Sequence, residues 1–183
     1  PHFLFNSMNI LSELVDQDTT IAKQYIDKLS EVYRYVLQSR QKELVTLQEE
    51  LTFARSYVFL LQKRFGENLQ VTIQVTSNET NVYTPPLTLQ LLIENAVKHN
   101  IVSTRKPLKI EIYNIDVDKL VILNNKQKRL NDRPTSTQVG LTNLVKRYEY
   151  LANQAPEIVE TETEFKVIVP LLEVTERIPQ VVS

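Results

Sequence analysis

The sequence predicts an α+β fold, with a helical hairpin first and strands interleaved with helices after it. Three features predict this. Up to Phe65, apolar residues recur every three or four positions, the period of helices with one buried face. Beyond Gly66 the pattern becomes strict alternation, starting with LQVTIQVT at 69–76, which marks a half-buried strand. Glycine is nearly absent, with only Gly66 and Gly140 in 183 residues. Rossmann fingerprints and Walker loops need several glycines at fixed spacing, so dinucleotide dehydrogenases and P-loop nucleotidases are excluded.

The elements follow in order. Phe3, Met8, Leu11, Leu14 and Val15 lie near one stripe of a first helix, and Asp18-Thr19-Thr20 supplies a break and a new N-cap. A second helix carries the strongest periodic signal: Ala22, Tyr25, Ile26, Leu29, Val32, Tyr33, Val36 and Leu37. Two amphipathic helices joined by a short polar turn make an antiparallel hairpin whose apolar faces need a cover. Tyr25, Leu29, Val32 and Val36 are therefore expected to bury against a second copy of the chain.

A third helix runs from Leu47 to Phe65, with Thr46 and Glu49 as a capping box and Gly66 as its stop. After the strand at 69–76, TPPLTLQLLIENAVKHN opens a helix on two prolines and sets Leu89, Leu92, Ile93, Ala96 and Val97 on one face. LKIEIYNI and KLVILNN read as a strand pair around Asp116–Asp118, and VGLTNLVKRYEYLAN as a further helix. EIVETETEFKVIVPLL closes as a hairpin turning near Thr163. The expected division is a hairpin at 1–45, an α/β domain at 46–172 and a loose tail at 173–183.

The totals exclude more than they assert. A net charge of −1 and 23% charged residues give no electrostatic reason to expect nucleic acid or an acidic membrane surface. With no cysteine, disulfide scaffolds and thiolate zinc sites are ruled out. No apolar run reaches the roughly 18–20 residues of a membrane helix, and no signal peptide is visible.

One of the two histidines stands at position 2, in PHFLFNSMN, where it can be a packed residue, a metal ligand or a nucleophile. His2 and His99 alone do not make a closed metal site. PHFLFNSMN (1–9), LLIENAVKHN (91–100) and VGLTNLVKRY (139–148) occur in this order at suitable spacing. Together they resemble the kinase core of the LytS-like sensor histidine kinases, over roughly residues 1–172.

That resemblance implies a dimerising phosphoacceptor hairpin followed by a Bergerat-type α/β sandwich, a mixed sheet with helices on one face, that uses ATP and Mg2+. It implies that His2 is the phosphorylated histidine. The role requires a neutral imidazole nitrogen able to attack the γ-phosphorus in line. Asn6, one turn on along the same helix face, is suited to hold one ring nitrogen and so select the tautomer. Asn95 matches the family's magnesium ligand, which suits a cation that prefers oxygen and keeps most of its waters. Glu94 matches an acidic position that orients water or metal. Lys98 and His99 lie one turn on, where their donors can meet phosphate oxygens.

The nucleotide side departs from the family pattern. Asn124, in VILNNKQKRL, stands where an adenine-reading aspartate is expected, and Lys126 where glycine is expected. The later glycine motif survives only as Gly140-Leu141. Residues 126–139 would be the ATP lid, whose Lys126, Lys128, Arg129 and Arg133 either bind phosphate or are simply solvated. Arg147 either reaches the nucleotide or braces its helix.

The implied function is ATP-dependent autophosphorylation of His2 and transfer to a response-regulator aspartate, by a homodimer. A degenerate kinase serving as a dimerisation or phosphotransfer scaffold is the alternative, and a Bergerat ATPase or protein-serine kinase a more distant one. Because the phosphoacceptor motif opens the chain, the expectation is a cytoplasmic fragment of a protein anchored in the inner membrane by an upstream sensor.

Overall fold

The structure, a computed structural model, describes residues 2–76, 81–127 and 137–173. Helices α1 (His2–Gln17) and α2 (Thr19–Ser39) form the hairpin. They are joined at Asp18, whose carboxylate accepts from the Thr20 and Ile21 amides at 2.8 and 3.1 Å. This is the N-cap the sequence offers, and it satisfies two of the orphan donors of the first turn.

A two-residue strand β1 (Val45–Thr46) leads into α3 (Leu47–Phe65). The Thr46 hydroxyl accepts from the Glu49 amide at 3.1 Å, and Glu49 accepts from the Thr46 amide at 2.9 Å, completing the capping box. Gly66 ends the helix at φ +58° with open space around its Cα. Backbone conformation alone therefore calls for glycine there.

Strands β2 (Leu69–Gln74), β3 (Tyr83–Thr84), β4 (Leu108–Asp116), β5 (Lys119–Asn125), β6 (Glu157–Glu160) and β7 (Glu164–Pro170) follow, with α4 (Thr88–His99) and α5 (Thr137–Ala152) between them. The main sheet has the order β2-β4-β5-β7-β6, with β2 parallel to β4 and every other pair antiparallel. The short β1–β3 pair is a separate ribbon.

Alternate residues give the main sheet one buried face, built from Leu108, Ile110, Ile112, Leu120, Ile122, Val167 and Val169. Leu51, Tyr57 and Leu61 of α3, Leu89, Leu92 and Ile93 of α4, and Leu144 and Tyr148 of α5 close the core over that face. This is the α+β architecture the sequence predicts, a helical hairpin followed by a mixed sheet with helices on one face.

One expectation fails. Tyr25, Leu29 and Val32 are buried within the same chain, at 1%, 7% and 3% exposure, and belong to the core they share with α3. Val36 is half-buried against the same core. An apolar stripe reports that something covers it, not what does. The outward apolar residues of the hairpin are instead Leu4, Phe5, Met8 and Val15 on α1, with Ile26 and Leu37 on α2.

Candidate active site

The site is built around α4, and α4 begins unusually. Its N-cap is Leu87, a left-handed residue at φ +66° with no side-chain cap. A non-glycine residue there costs on the order of 1 kcal/mol and needs support from its surroundings. Glu50, on α3, supplies it. Its fully buried carboxylate accepts from the Leu89 amide at 2.8 Å and the Leu87 amide at 3.1 Å, and from the Tyr35 hydroxyl of α2.

A negative charge at a helix N-terminus is favourable, and these donors supply what water would otherwise provide. Burial pushes the Glu50 carboxyl above the usual carboxylate range, opposed by Tyr35, the two amides and nearby Arg147. Arg147 itself donates to the Pro86 carbonyl at 3.2 Å and to the Lys42 and Glu43 carbonyls at 3.3 and 3.4 Å. It braces α5 against the linkers that precede α3 and α4.

From that anchored start, α4 presents two working faces. On one, Glu94 accepts from the Gln90 amide at 2.7 Å and from the Tyr57 hydroxyl of α3 at 2.9 Å, both on Oε1. The Tyr57 ring meets Phe3 of α1 at a 5.5 Å centroid distance. His2 is next to Phe3 and opens α1, so the start of the hairpin is linked through two contacts to Glu94. The side chain of His2 lies outside the described residues. Asn6 is half-buried one turn further along α1.

On the other face, Asn95 is half-buried one turn after Leu91. A Cβ built on Gly140 would lie 3.7 Å from Leu91 Cδ1, which puts the first turn of α5 beside the stretch of α4 that carries Asn95. Gly140 is thus a helical residue in ordinary packing contact, with half-buried Leu141 after it. Lys98 is exposed and His99 half-buried, both in the last turn of α4.

Asn124 ends the buried face of β5, opposite Ile110 on one side and Phe165 on the other. Its Nδ2 donates to the Asn125 carbonyl at 2.8 Å, and no described residue donates to its Oδ1. Asn125 turns the other way and holds the start of β4, accepting from the Lys109 amide at 2.8 Å.

Sequence reasoning missed Asn100. Buried at the end of α4, it donates to the Ala96 carbonyl at 2.8 Å and accepts from the Gln127 amide at 2.6 Å. That fixes where the chain leaves β5. An asparagine directly after a helix that ends in basic residues was the available signal.

Lys126 points into the closing hairpin, pairing with Glu160 at 2.7 Å and donating to the Thr161 carbonyl at 2.6 Å. Of the two readings left open for Lys126, phosphate binding or simple solvation, neither describes this intramolecular engagement. Lys128, Arg129 and Arg133, and most of the expected lid, lie outside the described residues.

Among the described residues no group of three or more His, Asp or Glu side chains is arranged to hold a metal, and no helix is long and apolar enough to cross a membrane.

The comparisons agree with this architecture. A family model described as histidine kinase matches residues 1–69, the hairpin, α3 and the approach to β2. The sensor histidine kinase/phosphatase LytS of Staphylococcus aureus strain MRSA252 is 35% identical over 61% of this chain. The sensor protein LytS of Staphylococcus haemolyticus strain JCSC1435 is 32% identical over 80% of it. The chain spans 19% and 28% of the length of those two relatives. A solved bacterial phosphotransferase matches with a TM-score of 0.50 at 13% identity, over 91% of this chain and 87% of that one, a likeness of fold. The sequence matches support the LytS-like histidine kinase family.

Proposed function

We propose that this chain is the catalytic core of a sensor histidine kinase that phosphorylates His2 from ATP and passes the phosphoryl group to an aspartate of a response regulator. The observation that carries the reading is the division of labour on α4. Glu94 is hydrogen-bonded to Tyr57 of α3, whose ring meets Phe3 of α1, while Leu91, one turn before Asn95, lies beside Gly140 of α5. A nucleotide held between α4 and α5 would then have its γ-phosphate next to the helix that offers the histidine.

In the reaction a neutral imidazole nitrogen of His2 attacks the γ-phosphorus as the bond to the bridging oxygen breaks, and ADP leaves. The ring N–H that does not attack gains positive character, and the Glu94 carboxylate is the acceptor for it. Asn6 orients the ring. Magnesium, when bound, screens the phosphate charge. The residues fit it: with no cluster of acidic ligands among the described residues, one Asn95 amide oxygen beside the Glu94 carboxylate suits a cation that keeps its waters and takes phosphate oxygens.

Lys98 and His99 add donors to the phosphates. Gly140 and Leu141, one turn into α5 beside Leu91 of α4, offer the nucleotide a close packing surface. Asn124 offers Oδ1 to the adenine amino group. Arg147 serves by holding α5 in place.

The hairpin dimerises in this reading. Leu4, Met8 and Val15 repeat along one exposed side of α1 and, with Ile26 of α2, form the face for a second copy. Attachment to the membrane would come through a sensor segment, leaving this part in the cytoplasm.

Incubating the chain with γ-labelled ATP and magnesium tests the reading. Acid-labile, base-stable label on the protein is expected. The absence of label with intact ATP binding would favour the scaffold reading instead, for which the glycine-poor loop and Asn124 speak.

Affinity should be modest, on the order of −5 to −6 kcal/mol, because a neutral amide replaces a charged acceptor. Asn124→Asp is expected to tighten ATP binding severalfold in calorimetry. An unchanged Kd would show that the adenine contact lies elsewhere.

A further inference from the structure

We infer that Tyr57 is a positioning residue for the phosphorylation of His2, fixing the Glu94 carboxylate with its hydroxyl and the start of α1 with its ring. The inference rests on the kinase reading above and adds to it a residue that none of the three motifs contains.

Tyr57 is buried at 2% exposure in the middle of α3, stacked on Phe53 with ring centroids 6.1 Å apart and inclined to Phe3 at 5.5 Å. A phenylalanine would satisfy that packing. The hydroxyl needs a different account, because a buried one must find a partner. The partner it finds is Glu94.

Both donors to Glu94, Tyr57 and Gln90, use Oε1. Among the described residues nothing donates to Oε2. The carboxylate is thus pinned by one oxygen and presents the other, which is the arrangement a proton acceptor for an approaching imidazole requires. Burial first, and then the Glu94 charge, push the Tyr57 hydroxyl well above its ordinary range, so it remains a donor.

The ring carries the second half of the role. Phe3 is the second residue of α1 and follows His2 directly, so its contact with Tyr57 sets where the histidine end of α1 lies relative to the carboxylate. One side chain therefore indexes both reaction partners.

A double-mutant cycle on this chain tests the inference, with initial rates of acid-labile labelling measured over a range of ATP concentrations. Tyr57→Phe keeps the ring, and its maximal rate is expected to fall about tenfold with KM for ATP unchanged. In a Glu94→Gln background the same substitution should have no further effect. Gln90→Leu, which removes the other donor to Oε1, should give the same signature by a separate route. A Tyr57→Phe rate equal to the wild type overturns the inference while leaving the kinase reading intact. So does an equal fractional fall with and without Glu94, because packing alone would act additively. A wild type that takes up no label defeats the kinase reading, and this inference falls with it.

Discussion

Asn95→Ala is expected to abolish magnesium-dependent ATP binding, by at least about a hundredfold, while leaving the protein as stable as before or slightly more so. Both halves come from the same position. Asn95 is half-buried on α4, beside the first turn of α5, and no ordered partner among the described residues depends on its amide. Asparagine is also a poorer helix former than alanine by about 0.5 kcal/mol, so the helix itself gains.

What is lost is an oxygen ligand where no acidic cluster among the described residues could replace it. Calorimetric titration with and without magnesium, together with a urea melt, decides the matter. Binding retained in the variant would remove Asn95 from the site. A large loss of stability would mean that its role is structural.

Glu50→Ala should be the most destabilising substitution in the chain, costing about 3–5 kcal/mol. It deletes a fully buried carboxylate and strands three donors: the Leu87 and Leu89 amides and the Tyr35 hydroxyl. It also removes the cap from a helix whose N-cap residue already sits at φ +66°. The urea midpoint should fall with little change in slope.

Tyr35→Phe makes the comparison informative. It keeps the ring stacked on Phe53 at 4.3 Å and removes one donor, so a loss of about 1 kcal/mol is expected. Equal and small effects for both variants would mean that water replaces the carboxylate and that α4 does not depend on Glu50.

Where the chain could be read from its sequence, the cause is local. The Asp18 cap, the Thr46–Glu49 box and the Gly66 stop each act within four residues of the element they define, so their chemistry is visible in the order of residues. Alternation in β4 and β5 is visible for the same reason, as is the pairing of Glu94 and Asn95 on one helix.

The features that escaped are contacts across the fold. Glu50 reads as an ordinary surface glutamate of QEEL, and only the arrival of Leu87, 37 residues later, makes it a buried cap. Tyr57 reaches Glu94 over the same separation of 37 residues. Tyr25, Leu29 and Val32 announced burial correctly, but the cover is α3 of the same chain and not a second copy. The β1–β3 ribbon has two residues on each side, too few to leave any period.

The central claim is that His2 accepts a phosphoryl group from ATP bound beside α4. Its most direct test compares wild type and His2→Gln after incubation with γ-labelled ATP and magnesium, with ATP affinity measured on the same samples. The account predicts acid-labile label on the wild type, none on the variant, and the same Kd for ATP in both, because the nucleophile and the nucleotide contacts sit on different helices. Label retained by His2→Gln, on any residue, would contradict it.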